Sequence, residues 1–183
     1  MKNNIIPALR LTLVSFAFFC GIYTLAVYGV SRLVPESMSF TKAKQGYYEN
    51  VGQPFTSNHY FNSRPSAVNY NAAGSGGSNK GPGNPDYLAE VQARIDTFLV
   101  HNPDIRKEDI PSDLVTASGS GLDPNISVEG AVVQVKRIAQ IRDINERTIY
   151  QLIEKQTEQP LLGILGTQKI NVLELNLALD KIK

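Results

Sequence analysis

The stretch NYNAAGSGGSNKGPGNP, residues 69–85, holds the ingredients of a phosphate cradle. It has five glycines at 74, 76, 77, 81 and 83, the hydroxyls of Ser75 and Ser78, the ammonium of Lys80, and a helix signal directly after it. Such glycines let successive N–H groups wrap a phosphate, while a lysine neutralises it. The spacing withholds that chemistry. A G-x-x-x-x-G-K-[ST] loop would run from Gly76 to Gly81, but Pro82 then stands where the lysine belongs, and Lys80 precedes the glycine. From Gly74 the sixth residue is Asn79, which also takes the third glycine's place in a G-x-G-x-x-G pattern. No apolar strand leads into the loop, and Pro82 and Pro85 offer no N–H. Ser75, Ser78 and Lys80 are the residues to name if a nucleotide phosphate touches this chain. The reading favoured by the spacing is an ordered loop whose glycines permit close approach of another surface.

The other reactive side chains fail in the same way. Ser118 in ASGSG would need glycine at 116 to make G-x-S-x-G, and Thr116 stands there; around Ser120, Ser118 replaces the first glycine. A membrane-anchored extracytoplasmic hydrolase using Ser118 or Ser120 is the alternative to carry forward. It requires His59 or His101 within about 3 Å of the hydroxyl. Asp109, Asp113 and Asp123 read as caps and turn formers. With one cysteine, Cys20, and two histidines, a metal site of several Cys/His ligands has no material. Eighteen basic against 17 acidic residues, without a basic run, leave no footprint for nucleic acid. No catalytic residue, metal ligand or covalently bound cofactor is assigned.

The elements that must position these loops begin with Leu11–Ser31, 21 uncharged residues bracketed by Arg10 and Arg32. As a helix they span about 31 Å, matching the roughly 30 Å hydrocarbon core. A cleavable signal has a shorter apolar core and a small-x-small site, which RLVPESMSF lacks. The plan is therefore an N-terminal tail 1–10, a single transmembrane helix 11–31, a juxtamembrane linker 32–46 and an α+β soluble domain 47–183 with several helices and short strands. Lys2 and Arg10 on one side and Arg32, Lys42 and Lys44 on the other leave the positive-inside rule undecided, although large domains translocate largely regardless of charge.

Within the domain, residues 36–70 read as short strands or ordered loops, with Tyr47, Tyr48, Phe55, Tyr60 and Phe61 in the core or at its rim. Asn84 and Pro85 open a helix with a stripe of Leu88, Val91, Ile95 and Phe98 or Leu99, ending near His101. A short turn from Pro111, a Ser/Gly loop at 118–121 and a turn at Asp123-Pro124 follow. Ser127 caps a helix whose face is Ala131, Val132, Val135, Ile138 and Ala139. Asp143 with Glu146 resembles a capping box for a helix burying Ile149, Leu152 and Ile153. The tail reads as a short strand at 168–170, then a helix from Val172 capped by Asn171.

In combination, the N-terminal anchor, GQPF, YFNSRPSA, YNAAGSGGSNKGPGNP, DLVTASGSGLDPNIS and NVLELNLALD resemble the KdpC family, found in the Kdp-type potassium-transporting ATPases of bacteria. The resemblance covers almost the whole chain. It departs at Asn62, near which the family often has Trp, and at the polar YYENVGQ. It implies an inner-membrane complex in which one partner is a channel-like potassium-binding subunit and another is a P-type ATPase that hydrolyses ATP, with potassium as the transported ion. A chain of this family would be a non-catalytic, single-pass member needed for assembly, described as a catalytic chaperone that raises ATP affinity. Direct ATP binding sits poorly with the loop spacing and with an extracytoplasmic soluble domain, the placement favoured here. Arg64, Ser66, Asn71, Ser75, Asn79 and Asp123 are the expected interface or loop-locking residues.

Overall fold

A computed structural model describes residues 4–33 and 48–182. These fall into two compact units. In the first, α1 (Ile5–Phe16), a π-helical segment (Ala17–Tyr23) and α2 (Thr24–Leu33) form one continuous helix from Ile5 to Leu33, long and apolar enough to cross a membrane. It starts ahead of the expected Leu11 because Ile5, Ile6 and Leu9 extend the apolar run and Pro7 is tolerated in a first turn. In the wide π turn the Thr24 hydroxyl donates to the Phe19 carbonyl at 2.9 Å, five residues back. Of the linker expected at 32–46, Arg32 and Leu33 belong to the helix. The remainder, and Tyr47, lie outside the described residues.

The second unit is a helical domain with a small sheet. In chain order it has α3 (Pro85–His101), β1 (Asn125–Ile126), α4 (Val128–Val132), α5 (Val135–Arg142), α6 (Glu146–Gln156), β2 (Thr157–Glu158), β3 (Lys169–Asn171) and α7 (Val172–Leu179). β3 is central and antiparallel to both neighbours, pairing Ile170 with Ile126 on one side and with Thr157 on the other. The helix starts are capped as their side chains dictate: Asn84, Ser127, Asn145 and Asn171 each accept a hydrogen bond from a first-turn N–H. Val135, Ile138, Ile149, Ile153, Leu175 and Leu179 pack with Ile126, Ile170 and Phe61 into one core.

Three expectations are corrected. The helix after Ser127 is broken: α4 stops at Val132, which is exposed, and α5 begins at Val135. The break turns Gln134 inward, where its amide donates to the Gly130 carbonyl at 2.8 Å and accepts from the Asn62 N–H at 2.8 Å. Asp143 does not cap α6. It ends α5 in the left-handed region at φ 54°, and Asn145 is the cap. Along α3 only Phe98 is fully buried and Leu88 lies 53% exposed, so the stripe contacts the domain through its C-terminal half.

Residues 48–83 form no helix or strand, yet they deliver Phe61 to the core with no exposed surface. Side chains replace the missing ladder. Asn176, buried within α7, accepts from the Phe61 N–H at 2.9 Å and donates to its carbonyl at 3.0 Å. Arg137, only 5% exposed, donates from Nε to Asn102 Oδ1, from one terminal nitrogen to the Asn58 carbonyl, and from the other to the Tyr60 carbonyl, Asn62 Oδ1 and Gln134 Oε1. Burial lowers its pKa to about 10. It is therefore charged at neutral pH, and the desolvation opposes folding until pH climbs through that value. The convergent acceptors offset this cost.

We predict that Arg137→Met destabilises the domain by about 3 kcal/mol, because it strands several buried acceptors at once. Arg137→Lys should recover only part of the loss, since an ammonium cannot reproduce the planar fork. Urea unfolding of the full chain in detergent measures both. An unshifted midpoint for Arg137→Met would refute the claim.

Candidate functional site

The glycine stretch and the Ser/Gly loop, distant in sequence, close on each other. The Gly76 N–H and the Ser75 hydroxyl both donate to the Ser120 carbonyl, at 2.8 and 2.9 Å. The Ser66 hydroxyl donates to the Gly121 carbonyl at 2.6 Å and accepts from the N–H groups of Val68 and Tyr70. The Ser118 N–H reaches the Pro65 carbonyl at 3.2 Å. One Arg64 terminal nitrogen pairs with Asp123 Oδ2 at 3.0 Å, and Asp123 Oδ1 accepts from the Asn125 N–H at 3.0 Å. The Gly52 N–H ties a third segment to the Leu122 carbonyl at 2.7 Å.

Gly121, Gly77 and Gly52 are required by contact. Gly121 has φ 67°, and a Cβ there would lie 2.6 Å from Val68 Cγ2 and 2.8 Å from the Gly76 oxygen. A Cβ on Gly77 would meet the Gly119 oxygen at 3.0 Å, and one on Gly52 the Asp123 oxygen at 2.6 Å. Gly74, Gly81 and Gly83 face open space.

Four of the residues expected to lock loops or face a partner, Arg64, Ser66, Ser75 and Asp123, meet in this clasp. Asn71 closes only a local turn, accepting from the Ala73 N–H at 3.0 Å, and Asn79 sits at φ 55° with no side-chain bond to the opposite loop. Of the phosphate candidates, Ser75 is committed to Ser120, Ser78 accepts from the Lys80 N–H, and Lys80 pairs with Glu90. The Lys80 hydrogen bond holds the exposed Glu90 carboxyl below its ordinary range, so the pairing fades as pH falls through that lowered value. Thus the Gly76 N–H, the Ser75 hydroxyl and the Lys80 ammonium each bond within the chain.

The serine nucleophile fares no better. Ser118 is 4% exposed, Ser120 Oγ accepts from the Leu122 N–H, and no hydrogen bond joins His59 or His101 to either serine among the described residues. Asp113 accepts from the Ser127 N–H and hydroxyl, and Asp109 pairs with Arg106. An open groove of about 410 Å³ lies beside the clasp, lined by Phe55, Pro65, Tyr70, Thr97, Phe98 and Leu114. The Tyr70 hydroxyl donates to the Arg64 carbonyl at 2.7 Å, and burial raises its pKa. Sequence reasoning missed Arg137, Gln134 and Asn176. The signal available was a polar residue inside an apolar helix, as Asn176 is between Leu175 and Leu177.

Comparison with known proteins gives the same picture along the chain. A family described as "K+-transporting ATPase, c chain" matches residues 5–181. The chain is 52% identical to the potassium-transporting ATPase KdpC subunit of Flavobacterium psychrophilum, over 99% of this chain and 100% of that protein. It is 50% identical to the corresponding protein of Flavobacterium johnsoniae, with the same coverage. To that of Bacteroides fragilis strain ATCC 25285 it is 46% identical, over 99% of this chain and 98% of the relative.

We predict that Gly121→Ala opens the clasp, costing about 1–2 kcal/mol for the left-handed backbone alone, and that the Gly76 amide loses hydrogen-exchange protection. Gly81→Ala, which meets nothing, should leave the clasp unchanged. Equal protection in the two variants would rule out the clasp as the source of that protection.

Proposed function

The chain belongs to the family of the c chain of K+-transporting ATPases, and from that premise we propose that it is the non-catalytic subunit that holds such a complex together. Membership makes it a subunit of a potassium transport complex. The finer reading is that the apolar helix anchors it laterally against partner helices. The clasped domain then offers a preformed contact surface to a channel-like potassium-binding subunit and to a P-type ATPase subunit that hydrolyses ATP. Potassium is cargo of the complex rather than a resident ion of this chain.

The observation that carries this reading is the clasp. Gly76, Ser75 and Lys80 spend their donors within the chain, which leaves a preorganised surface in place of an anion cradle. ATP is accordingly not a direct ligand in this proposal. The hydrolase alternative draws no support from a buried Ser118 and two exposed histidines bonded to neither serine. The N-terminus is assigned to the cytoplasmic side of a bacterial inner membrane and the domain to the outside. Lys2 and Arg10 suit anionic inner lipids, and the domain is free of cysteine.

Two measurements test this. Purification through a tag on this chain should recover a channel-like partner and an ATP-hydrolysing partner; recovery of the chain alone would sink the assembly reading. For topology, Ser118 is too buried to label, so a cysteine belongs at the exposed Gln151, in a Cys20→Ala background. A membrane-impermeant maleimide should label it in cells whose outer membrane is permeabilised. Labelling only after inner-membrane lysis would place the domain inside. Saturable ATP binding by the full chain would then restore a direct nucleotide role.

A further inference from the structure

Residues 78–83 bridge two fixed points. At one end Gly77 still belongs to the clasp, pressed against the Gly119 oxygen. At the other, Asn84 caps α3 by accepting from the Tyr87 N–H at 3.1 Å. Among the described residues, the one hydrogen bond or ion pair that ties 78–83 to another element is that of Lys80 Nζ with Glu90 Oε1 on α3. A Cβ at Gly81 or Gly83 would meet nothing, and Pro82 has no N–H to donate. Glu90 is not committed to Lys80 alone. Its other oxygen lies 3.7 Å from Arg94 Nη2, one turn along α3. An acid four residues before a base is the favourable order on a helix. Arg94 is held there independently, because its Nη1 donates to the Val115 carbonyl at 3.1 Å. The side chains of Lys80, Glu90 and Arg94 are 34%, 45% and 28% exposed, so water and salt reach both pairs. Such exposed pairs hold weakly. Parting Lys80 from Glu90 therefore strands no carboxylate, since a second cation already stands beside it.

We propose that residues 78–83 form a releasable strap: Glu90 exchanges Lys80 for Arg94, and the strap lifts from α3 while the clasp stays shut. Salt is the agent that opens it. Between about 0.01 M and 1 M the Debye length falls from about 30 Å to about 3 Å. Screening weakens both pairs of Glu90, but not with equal effect. The backbone that carries Glu90 and Arg94 is already ordered in α3, whereas closing the strap must order residues 78–83, Gly81 and Gly83 included. The clasp is indifferent to salt, because uncharged groups make it: the Gly76 N–H and the Ser75 hydroxyl both donate to the Ser120 carbonyl. Lifting turns Lys80 from an internal partner into a free ammonium beside the clasp, available to an acidic group of another molecule.

The test uses the full chain in detergent, with Cys20→Ala and a nitroxide on Gly81→Cys, where a side chain meets no neighbour. Electron paramagnetic resonance reads the mobility of the label, and amide exchange at Gly76 reads the clasp. Raising sodium chloride from about 0.01 M to about 1 M should increase the mobile fraction by up to about fivefold, with Gly76 protection unchanged. Glu90→Gln and Lys80→Gln should be mobile at every salt concentration. Arg94→Gln should do the reverse and hold the label still to higher salt, because it removes both the competitor for Glu90 and a repeller of Lys80. Mobility that ignores salt overturns the proposal, and so does an Arg94→Gln strap looser than the parent's, which would make Arg94 a brace. Loss of Gly76 protection in step with mobility also overturns it, since strap and clasp would then open as one unit. Should Arg94→Gln fail to fold, the exposed Glu90→Gln variant still decides: a label as ordered there as in the parent defeats the inference.

Discussion

Arg137 carries a full positive charge into the core with only neutral oxygens around it, and the irregular first half of the domain hangs on those oxygens. Asn58, Tyr60 and Asn62 supply three of its acceptors, and Gln134 and Asn102 supply the others. A segment without ladder hydrogen bonds must find partners for its backbone elsewhere. Here it finds them in side chains of α4–α5 and α7. At the break between α4 and α5, Gln134 accepts from both the Asn62 N–H and Arg137. Phe61 then fills the core because Asn176 holds its N–H and carbonyl. Replacing this network by apolar residues of similar volume need not weaken the core, but it would leave 55–63 with no reason to adopt one path.

Once that path is fixed, Arg64 and Ser66 arrive where the Ser/Gly loop passes, and the clasp forms. Gly121 is essential to it in a way that Gly81 is not, although composition treats the two alike. A glycine-rich loop beside a helix start suggests an anion site, and the chain supplies the anion's substitute: the Ser120 and Gly121 carbonyls occupy the donors of Gly76, Ser75 and Ser66. The result is a surface with little left to order on binding, which favours recognition over chemistry.

Much of the periodic part was legible in the sequence. The apolar helix, the Asn84-Pro85 start, the Ser127 cap, and the short strand followed by a helix capped at Asn171 all depend on local signals, and local signals decided them. What was not legible depended on distant partners. Asp143 and Asn145 compete as caps within three residues, and the left-handed end of α5 settles the contest by taking Asp143. Leu88 matches the helical stripe, yet it stays 53% exposed. Arg137 sits in an apparent polar face, and only the return of 58–62 makes that face internal. Arg64, Ser66, Ser75 and Asp123, named from type and resemblance, lie together in the clasp. Asn71 and Asn79 share their polarity, but Asn71 accepts from the Ala73 N–H in a local turn and Asn79 takes left-handed backbone at φ 55°.

Under the proposal that this chain acts on ATP use in a partner without touching nucleotide, it does so by binding one state of that partner better than another. No contact with nucleotide is required, and none of the side chains in the clasp needs to move. Such coupling is reciprocal: whatever this domain adds to a partner's affinity for ATP, ATP adds equally to the partner's grip on this domain. A rigid clasp suits that role, because a surface that deformed to fit both states would discriminate neither. The same logic joins assembly to regulation. Under the proposed function, an interface that retains this chain in a complex and one that biases a partner can be one surface, and their energies need not be sought in separate sites.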